Sequence, residues 1–593
     1  MRLTNVAHLR LPFGRLLGYD VSVSEPGAPL PVSFDQRRHV GEGDRPGSWM
    51  ALSFRLAGPV PLDDLAAAWL AVIARHGTLR SVFAPDEDGK PTLAGVEIGP
   101  GQWVDHPIGP GQAVNDALRD VLDRDCSSYS RPAHRLCVLD TAAGPTVIVA
   151  ADHSHVDMWS MLVILRDLLA SLAQLRDGGP AALGEVPPFA AHTRALRERP
   201  EAPIEVRQRW AEIIADSGGV MPLFPLPLGT AQPHAERVEV RDVFDVDDSA
   251  AFAAQARDDG VSTLALAVSA MTEVTRDMAD APLRAVFPVH SRYDETWHDS
   301  VGWFITNSVL ESDTVGPRAA AAAVREAVWL GSWPLDDVLA PWGGMPEAPG
   351  MFAISWLDLR RLPVRVDAAG LDAQYVGATI RTDGVMLWFI LDASGLHLRC
   401  RYPDTPQARV NVGGWLDRLV ATLQAGARSS VGGVLHNRDG AAFRVERATR
   451  DDVPAIVALL LDDPIGRTRE VAEYAPYEAA YDVVARDRSQ YLAVVRAAEG
   501  TVVGTMQLTV LPGLLRGGTT RLQIEGLRVA RPERSHGLGA AMLAWAHKHG
   551  RAHGASLAQV TTDEERERAR EFYAQQGYTA THVGLKRDLS THP

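Results

Sequence analysis

The sequence predicts an α/β (α+β) chain in three lobes, about residues 1–185, 200–425 and 442–593. β-branched runs alternate with apolar positions at helical spacing along the whole chain, as in TVIVAAD followed by MLVILRDLLASL from Thr146 to Leu172. Two stretches rich in turn-forming residues punctuate it: DGGPAALGEVPPF at 177–189 and GARSSVGGVLHNRDGA at 426–441, the latter reading as a linker. Charge changes at the second stretch. Residues 442–593 hold 20 Lys+Arg against 19 Asp+Glu, leaving 39 against 55 for residues 1–441.

Composition excludes several classes. With 593 residues, 46% apolar and 22% charged, the chain reads as globular rather than disordered or fibrous. Three cysteines, Cys126, Cys137 and Cys400, make no disulfide framework and have no paired metal spacing, which suits a reducing cytoplasm. Arg2, His8, Arg10 and Arg15 interrupt the apolar residues of the N-terminus, and no later run approaches 18 clean apolar residues, so neither export nor membrane spanning is expected. The acidity of the first three quarters argues against nucleic acid as a partner.

In the first lobe, Val147–Val149 predict a strand and Met161, Ile164, Leu165, Leu168 and Leu172 a helix. The polar turn between them carries Asp152, His153, His155 and Asp157, with Ser160 placed to cap the helix. Polar side chains at the end of a buried strand are rigidly held yet exposed, and a neutral imidazole there can take a proton from an attacking amine or hydroxyl. A hydrogen-bonded structural turn explains the same residues. Zinc binding by His153 and His155 is disfavoured, because alternate strand positions face opposite ways and no third ligand is near.

Other stretches separate these readings. LPVSFDQRRHV at 30–40, Arg75, His76, Leu79 and Arg80 in an RHxxLR pattern, RPAHRLCVL at 131–139, DHSHVDMWS at 152–160, and VGWFITN with Gly302, Phe304 and Asn307 follow one another in order. Together they resemble the condensation domains of nonribosomal peptide synthetases over about residues 28–425. The resemblance implies two chloramphenicol-acetyltransferase-like lobes in a V around a tunnel. It places His153 as the catalytic histidine of HHxxxDGxS and Asp157 as the structural aspartate, paired with Arg292. The chain departs from that motif at Asp152 and Met158, which stand for the first histidine and the glycine, and it lacks a convincing DFGWG motif. What is implied is acyl transfer to an amine or hydroxyl from a thioester on the phosphopantetheine of an acyl or peptidyl carrier protein acting in trans, with no metal. The closest carrier-serine pattern, Asp259-Gly-Val-Ser262, reads instead as a capped helix start.

In the last lobe, the apolar alternation of RLQIEGLRVA changes phase across Glu525 and Gly526, predicting a β-bulge that re-aims a side chain. The loop Arg534-Ser535-His536-Gly537-Leu538-Gly539 then opens a helix, whose unpaired N–H groups and positive dipole end suit a pyrophosphate. This loop, IEGLRVA before it, EFYAQQGY after it and the closing GLKRDL resemble the GNAT-type N-acetyltransferases over residues 442–590. The resemblance implies a mixed sheet with helices on both faces and acetyl-CoA as co-substrate, its pyrophosphate at 534–539 and its pantetheine along Leu527 and Val529. Glu525 is then the candidate base and Tyr573 the acid that protonates the departing thiolate. The expected function is a bifunctional biosynthetic acyltransferase. The alternatives are a silent condensation-like scaffold beside an active acetyltransferase, and a CoA-dependent O-acyltransferase.

Overall fold

The computed structural model describes residues 1–593 except 142–143, 429–431, 464–465, 469, 472, 488, 586 and 588–593, so part of GLKRDL lies outside the described residues. The chain forms two compact units, Met1–Val243 with Val261–Leu423, and Phe244–Gly260 with Gln424–Pro593.

The first unit has two lobes, each on a seven-stranded sheet. In the first lobe the order is Arg2–Asn5, Gln374–Gly377, Trp49–Arg55, Thr146–Asp152, His134–Asp140, Arg15–Val23 and Ile98–Asp105. All seven residues of Thr146–Asp152 are buried and both of its edges are paired, which explains its uninterrupted apolar run. The insertion of Gln374–Gly377, drawn from the second lobe, was not signalled by sequence pattern. Its Tyr375 is fully buried and donates its hydroxyl to the Met158 carbonyl (2.9 Å), joining the lobes beneath the polar turn. The second lobe's order is Ile305–Ser312, Leu283–His290, Phe352–Asp358, Val385–Asp392, Gly395–Pro403, His234–Phe244 and Arg381–Thr382.

Helix Met158–Arg176 is long and apolar enough to cross a bilayer by length and composition. Trp159, Met161, Leu162, Ile164, Leu165 and Leu168 are nevertheless buried in the first lobe's core, which makes it a core helix. Its N-cap corrects the sequence expectation. Asp157, not Ser160, caps it, by accepting from the Ser160 N–H at 2.7 Å. Ser262 caps helix Thr263–Ala279 as expected.

The second unit holds a six-stranded sheet in the order Gly433–His436, Ala442–Arg447, Gln490–Arg496, Val502–Leu511, Arg521–Val529 and Leu557–Val560. The segment expected as a linker is therefore partly an edge strand, because Val434 and Leu435 pair with Arg444 and Phe443 across the Asn437–Gly440 turn. Helix Leu538–Ala552 covers the sheet through Leu538, Met542, Leu543 and Ala546. Helix Val246–Asp258 belongs to this unit although its sequence neighbours belong to the first.

Candidate active sites

Strand Thr146–Asp152 ends by delivering a tight turn. The His155 N–H donates to the Asp152 carbonyl at 3.0 Å, and the Ser154 N–H to Asp152 Oδ1 at 2.9 Å. In the run Asp152–Asp157 only His153 is more than buried backbone or core: it alone is half-exposed. Its Nδ1 lies 2.9 Å from the Val156 carbonyl, which can only accept, so the ring proton sits on Nδ1 and the Nε2 lone pair is free. Burial, reinforced by the nearby His39, holds the imidazole below its usual pKa, so it is neutral at pH 7. Trp303 stacks on it, ring centroids 4.2 Å apart at 22°. His153 is thus an oriented, neutral imidazole.

Asp157 and Arg292 form an ion pair, both side chains at 0% exposure. Arg292 Nη1 donates to Asp157 Oδ2 at 2.7 Å and Nη2 to Oδ1 at 3.3 Å; the Phe304 N–H adds a bond to Oδ2 at 3.0 Å. Burial works to raise the Asp157 carboxyl, but the charge and hydrogen bonds of Arg292 hold it below the usual value. The remaining guanidinium donors reach the Trp297 and Ser300 carbonyls and Ser160 Oγ, and the Phe304 ring lies 4.0 Å beneath. Ser160 Oγ in turn donates to the Gly302 carbonyl at 2.8 Å. The pair therefore binds the start of the helix to VGWF, whose Trp303 orients His153. A side chain at Gly302 would collide with the Phe189 ring.

Asp152 lies at 0% exposure and accepts from Ser154, Ser128 Oγ (3.1 Å) and His39 Nε2 (3.2 Å). Burial opposes its ionisation, but His39 and Ser154 hold it well below the usual carboxylate range. Because His39 Nδ1 accepts from Arg45 Nη2 at 3.0 Å, its proton is on Nε2, facing Asp152. An imidazole from another helix thus stands beside the position where the motif's first histidine would be. Met158 packs half-buried on the first lobe's core.

Helix Phe34–Gly41 holds much of this together. Ser33 and Gln36 form a capping box, and the Gln36 amide goes on to donate to the Ser154 carbonyl at 2.9 Å. Asp35 accepts from Asn307 Nδ2 at 3.2 Å, and burial pushes its carboxyl up to about 6 despite Arg38. His39, Asp35, Gln36, Arg45 and Trp303 were not singled out from sequence. His76 Nε2 reaches Asp167 at 2.9 Å and steadies helix Met158–Arg176. A separate cavity of about 360 Å³, lined by Gly77, Arg80, Ser81, Leu93, Phe189 and Arg194 among others, contains none of the expected site residues.

In the second unit the strand Arg521–Val529 is bulged: Gln507 faces Glu525 and Thr505 faces Arg528, so Met506 opposes both Gly526 and Leu527. Gly526 takes φ +58°, the left-handed conformation that glycine permits. Pairing with Leu557–Val560 covers only Arg521–Ile524. Leu527 and Val529 thus lie beyond the paired part, with Glu525 exposed at the start of the gap.

Gly537 begins helix Leu538–Ala552 with φ +88°, and a Cβ there would meet Arg438 Cγ at 2.7 Å. Among the described residues no side chain caps this helix, which leaves its first N–H groups to an anion. Ser535 also has positive φ, +70°. Arg534 is fixed by donating to the Val529 carbonyl and Asp462 (both 2.8 Å), His536 Nδ1 meets Asp439 at 2.6 Å, and Gly539 lies against Phe572 and Val529. Tyr573, on helix Glu567–Gln575, packs against Phe572 and Tyr578. Burial raises its phenol pKa although Arg528 and Arg566 pull it down, so it holds its proton at pH 7.

Comparison with known proteins bears on the two domains. A family model described as Condensation domain matches residues 40–327, and one described as Acetyltransferase (GNAT) family matches 454–578. The chain is 30% identical over 309 residues to a "Probable non-canonical nonribosomal peptide synthetase (NRPS) CymA" of Salinispora arenicola, covering 48% of this chain and 4% of that protein. It is 26% identical over 324 residues to an "Isonitrile lipopeptide synthase" of Mycobacterium tuberculosis, covering 51% and 13%. The chain thus spans a small fraction of the length of these curated relatives. Among solved structures, "PapA2 acyl transferase" superposes with TM-score 0.64 at 18% identity over 72% of this chain and 100% of that one. The first condensation domain of the calcium-dependent antibiotic synthetase gives 0.52 at 16%, over 68% and 98%. At such identities these structures share the fold. Residues 40–327 thus match the condensation-domain family and residues 454–578 the GNAT family of acetyltransferases.

Proposed function

We propose that the chain performs two acyl transfers in the assembly of a natural product. The condensation domain moves an acyl group from a carrier-protein phosphopantetheine thioester to an amine or hydroxyl, and the GNAT domain acetylates an amine from acetyl-CoA. The observation that carries the first is the His153 ring, whose Nδ1 proton is committed to Val156 and whose Nε2 is free at the accessible point of a buried turn. Nε2 takes the nucleophile's proton as the new bond to the thioester carbon forms, and the proton leaves with the expelled thiol. Holding both substrates in line supplies the rest of the rate.

The second site has the residues acetyl-CoA requires. The uncapped start of helix Leu538–Ala552, with Arg534 to His536 and Gly539, offers amides to the pyrophosphate, and the edge of Leu527–Val529 that Leu557–Val560 leaves uncovered lies open to the pantetheine. Bound there, acetyl-CoA supplies an activated acetyl thioester. Glu525 removes the amine proton, and Tyr573, protonated at pH 7, gives its proton to the leaving thiolate. The relatives named as peptide and lipopeptide synthases support a place in carrier-bound assembly. A pH profile of carrier-thioester consumption tests the base: the rate rises through an apparent pKa below 6.5 and is level above it. A rate that still rises through an apparent pKa above 6.5 contradicts His153 as base.

A further inference from the structure

The second unit contains a second constellation that neither acyl transfer uses. His549 and His553, four residues apart at the end of helix Leu538–Ala552, share a face, and Asp247 from helix Val246–Asp258 meets them. Asp247 Oδ1 lies 3.1 Å from His549 Nδ1 and 3.4 Å from His553 Nε2. The three side chains are 13%, 6% and 16% exposed.

The three donor atoms are placed as the ligands of a metal ion would be. His553 Nδ1 is 2.9 Å from the His549 carbonyl, so Nδ1 carries the hydrogen. Its Nε2 then faces the anionic Asp247 oxygen, a position that suits either a shared proton or a bound metal ion. Tetrahedral coordination with bonds of about 2.0–2.1 Å places neighbouring ligands about 3.3 Å apart, which both measured edges match. The carbonyl partner of His553 is the outer contact that orients metal-binding imidazoles, and Arg447 does the same for the carboxylate, its Nη2 3.4 Å from Asp247 Oδ2. Arg447 also meets Asp248 at 3.7 Å and lies over the Tyr491 ring, so its charge is shared away from Oδ1.

We propose that Asp247, His549 and His553 bind a divalent transition-metal ion of the zinc class, with its fourth position open to water. Two imidazoles and one carboxylate suit zinc and disfavour magnesium or calcium, which take oxygen donors. The ion ties helix Val246–Asp258 to helix Leu538–Ala552, a junction that no run of sequence announces.

The test uses the full chain without a polyhistidine tag, freed of metal by a chelator and titrated with Zn²⁺ alone by calorimetry. One equivalent binds, saturating Zn²⁺ raises the melting temperature, and Co²⁺ gives the visible bands of a four-coordinate site. Asp247→Asn, His549→Ala and His553→Gln each weaken Zn²⁺ binding at least tenfold and lose the Co²⁺ bands. His547→Ala, on the same helix but bonded to Tyr578, leaves both unchanged. Circular dichroism of each variant separates ligand loss from unfolding, and His553→Gln is the mild variant that keeps the proposal testable if His549→Ala does not fold. Absence of a Zn²⁺ equivalent in the wild-type chain, or an equivalent that survives all three substitutions, overturns the proposal; in the first case the triad shares a proton instead.

Discussion

Replacing Arg292 by Met tests whether the Asp157 pair holds the condensation site in shape. The substitution removes two donors from a carboxylate at 0% exposure and leaves it only the Ser160 and Phe304 N–H groups. It also takes the donor from the Trp297 and Ser300 carbonyls. Stranding one partner of a buried pair costs about 3–5 kcal/mol. Because the chain has two units, a single melting transition is a poor gauge; hydrogen exchange is better. The Ser160 and Phe304 amides, both bonded to Asp157, should lose about 3 kcal/mol of protection in Arg292→Met, while the strands Gln490–Arg496 and Val502–Leu511 of the other unit keep theirs. The double variant Asp157→Asn, Arg292→Met should recover a large part of that loss, since no charge is then stranded. The folded Asp157 pKa is depressed, so its contribution is complete above the unfolded carboxylate value of 3.8 and is lost only as pH falls through the folded one; in the wild type the protection of these amides should be equal at pH 6 and pH 8. Unchanged protection of both amides in Arg292→Met refutes the reasoning.

Three other outcomes follow from the same geometry. Asp35, pushed up to about 6 from 3.8, binds a proton more tightly folded than unfolded, so its burden grows as pH rises from about 4 to 6 and is constant above; Asp35→Asn should stabilise the chain by up to about 3 kcal/mol at pH 8 and by little at pH 4, read from denaturant midpoints. Gly302→Ala sets a methyl into the Phe189 ring and should cost about 1–3 kcal/mol while slowing carrier-thioester consumption, since Trp303 moves with it. Gly537→Ala meets both a left-handed φ of +88° and Arg438 Cγ, so it should cost about 1–2 kcal/mol and abolish the rise in melting temperature that acetyl-CoA gives the wild type.

Features written in contiguous residues were legible in the sequence. The bulge at Gly526 showed as a change of apolar phase within one strand, and the His153 turn as polar residues between a β-branched run and a helical one. The Asp157 and Arg292 pairing came from motif register, since nothing local links residues 135 positions apart. His39 beside Asp152, the Gln36 amide on Ser154, Asp462 beneath Arg534 and Trp303 on His153 had no local signal, because each partner comes from another element. The cap at Asp157 was misassigned to Ser160 for a related reason: both are good capping residues, and only the Gly302 contact shows that Ser160 is occupied elsewhere. Asp247 with His549 and His553 is the extreme case, a cluster whose members lie about three hundred residues apart.

The central claim is that one chain holds two independent acyl-transfer centres. The direct measurement pairs His153→Ala with Tyr573→Phe and follows consumption of an acyl-carrier thioester and of acetyl-CoA for each. The account predicts that His153→Ala loses carrier-thioester consumption by about 10²-fold or more and keeps acetyl-CoA consumption, with the reverse for Tyr573→Phe. Wild-type carrier-thioester consumption by His153→Ala would contradict it.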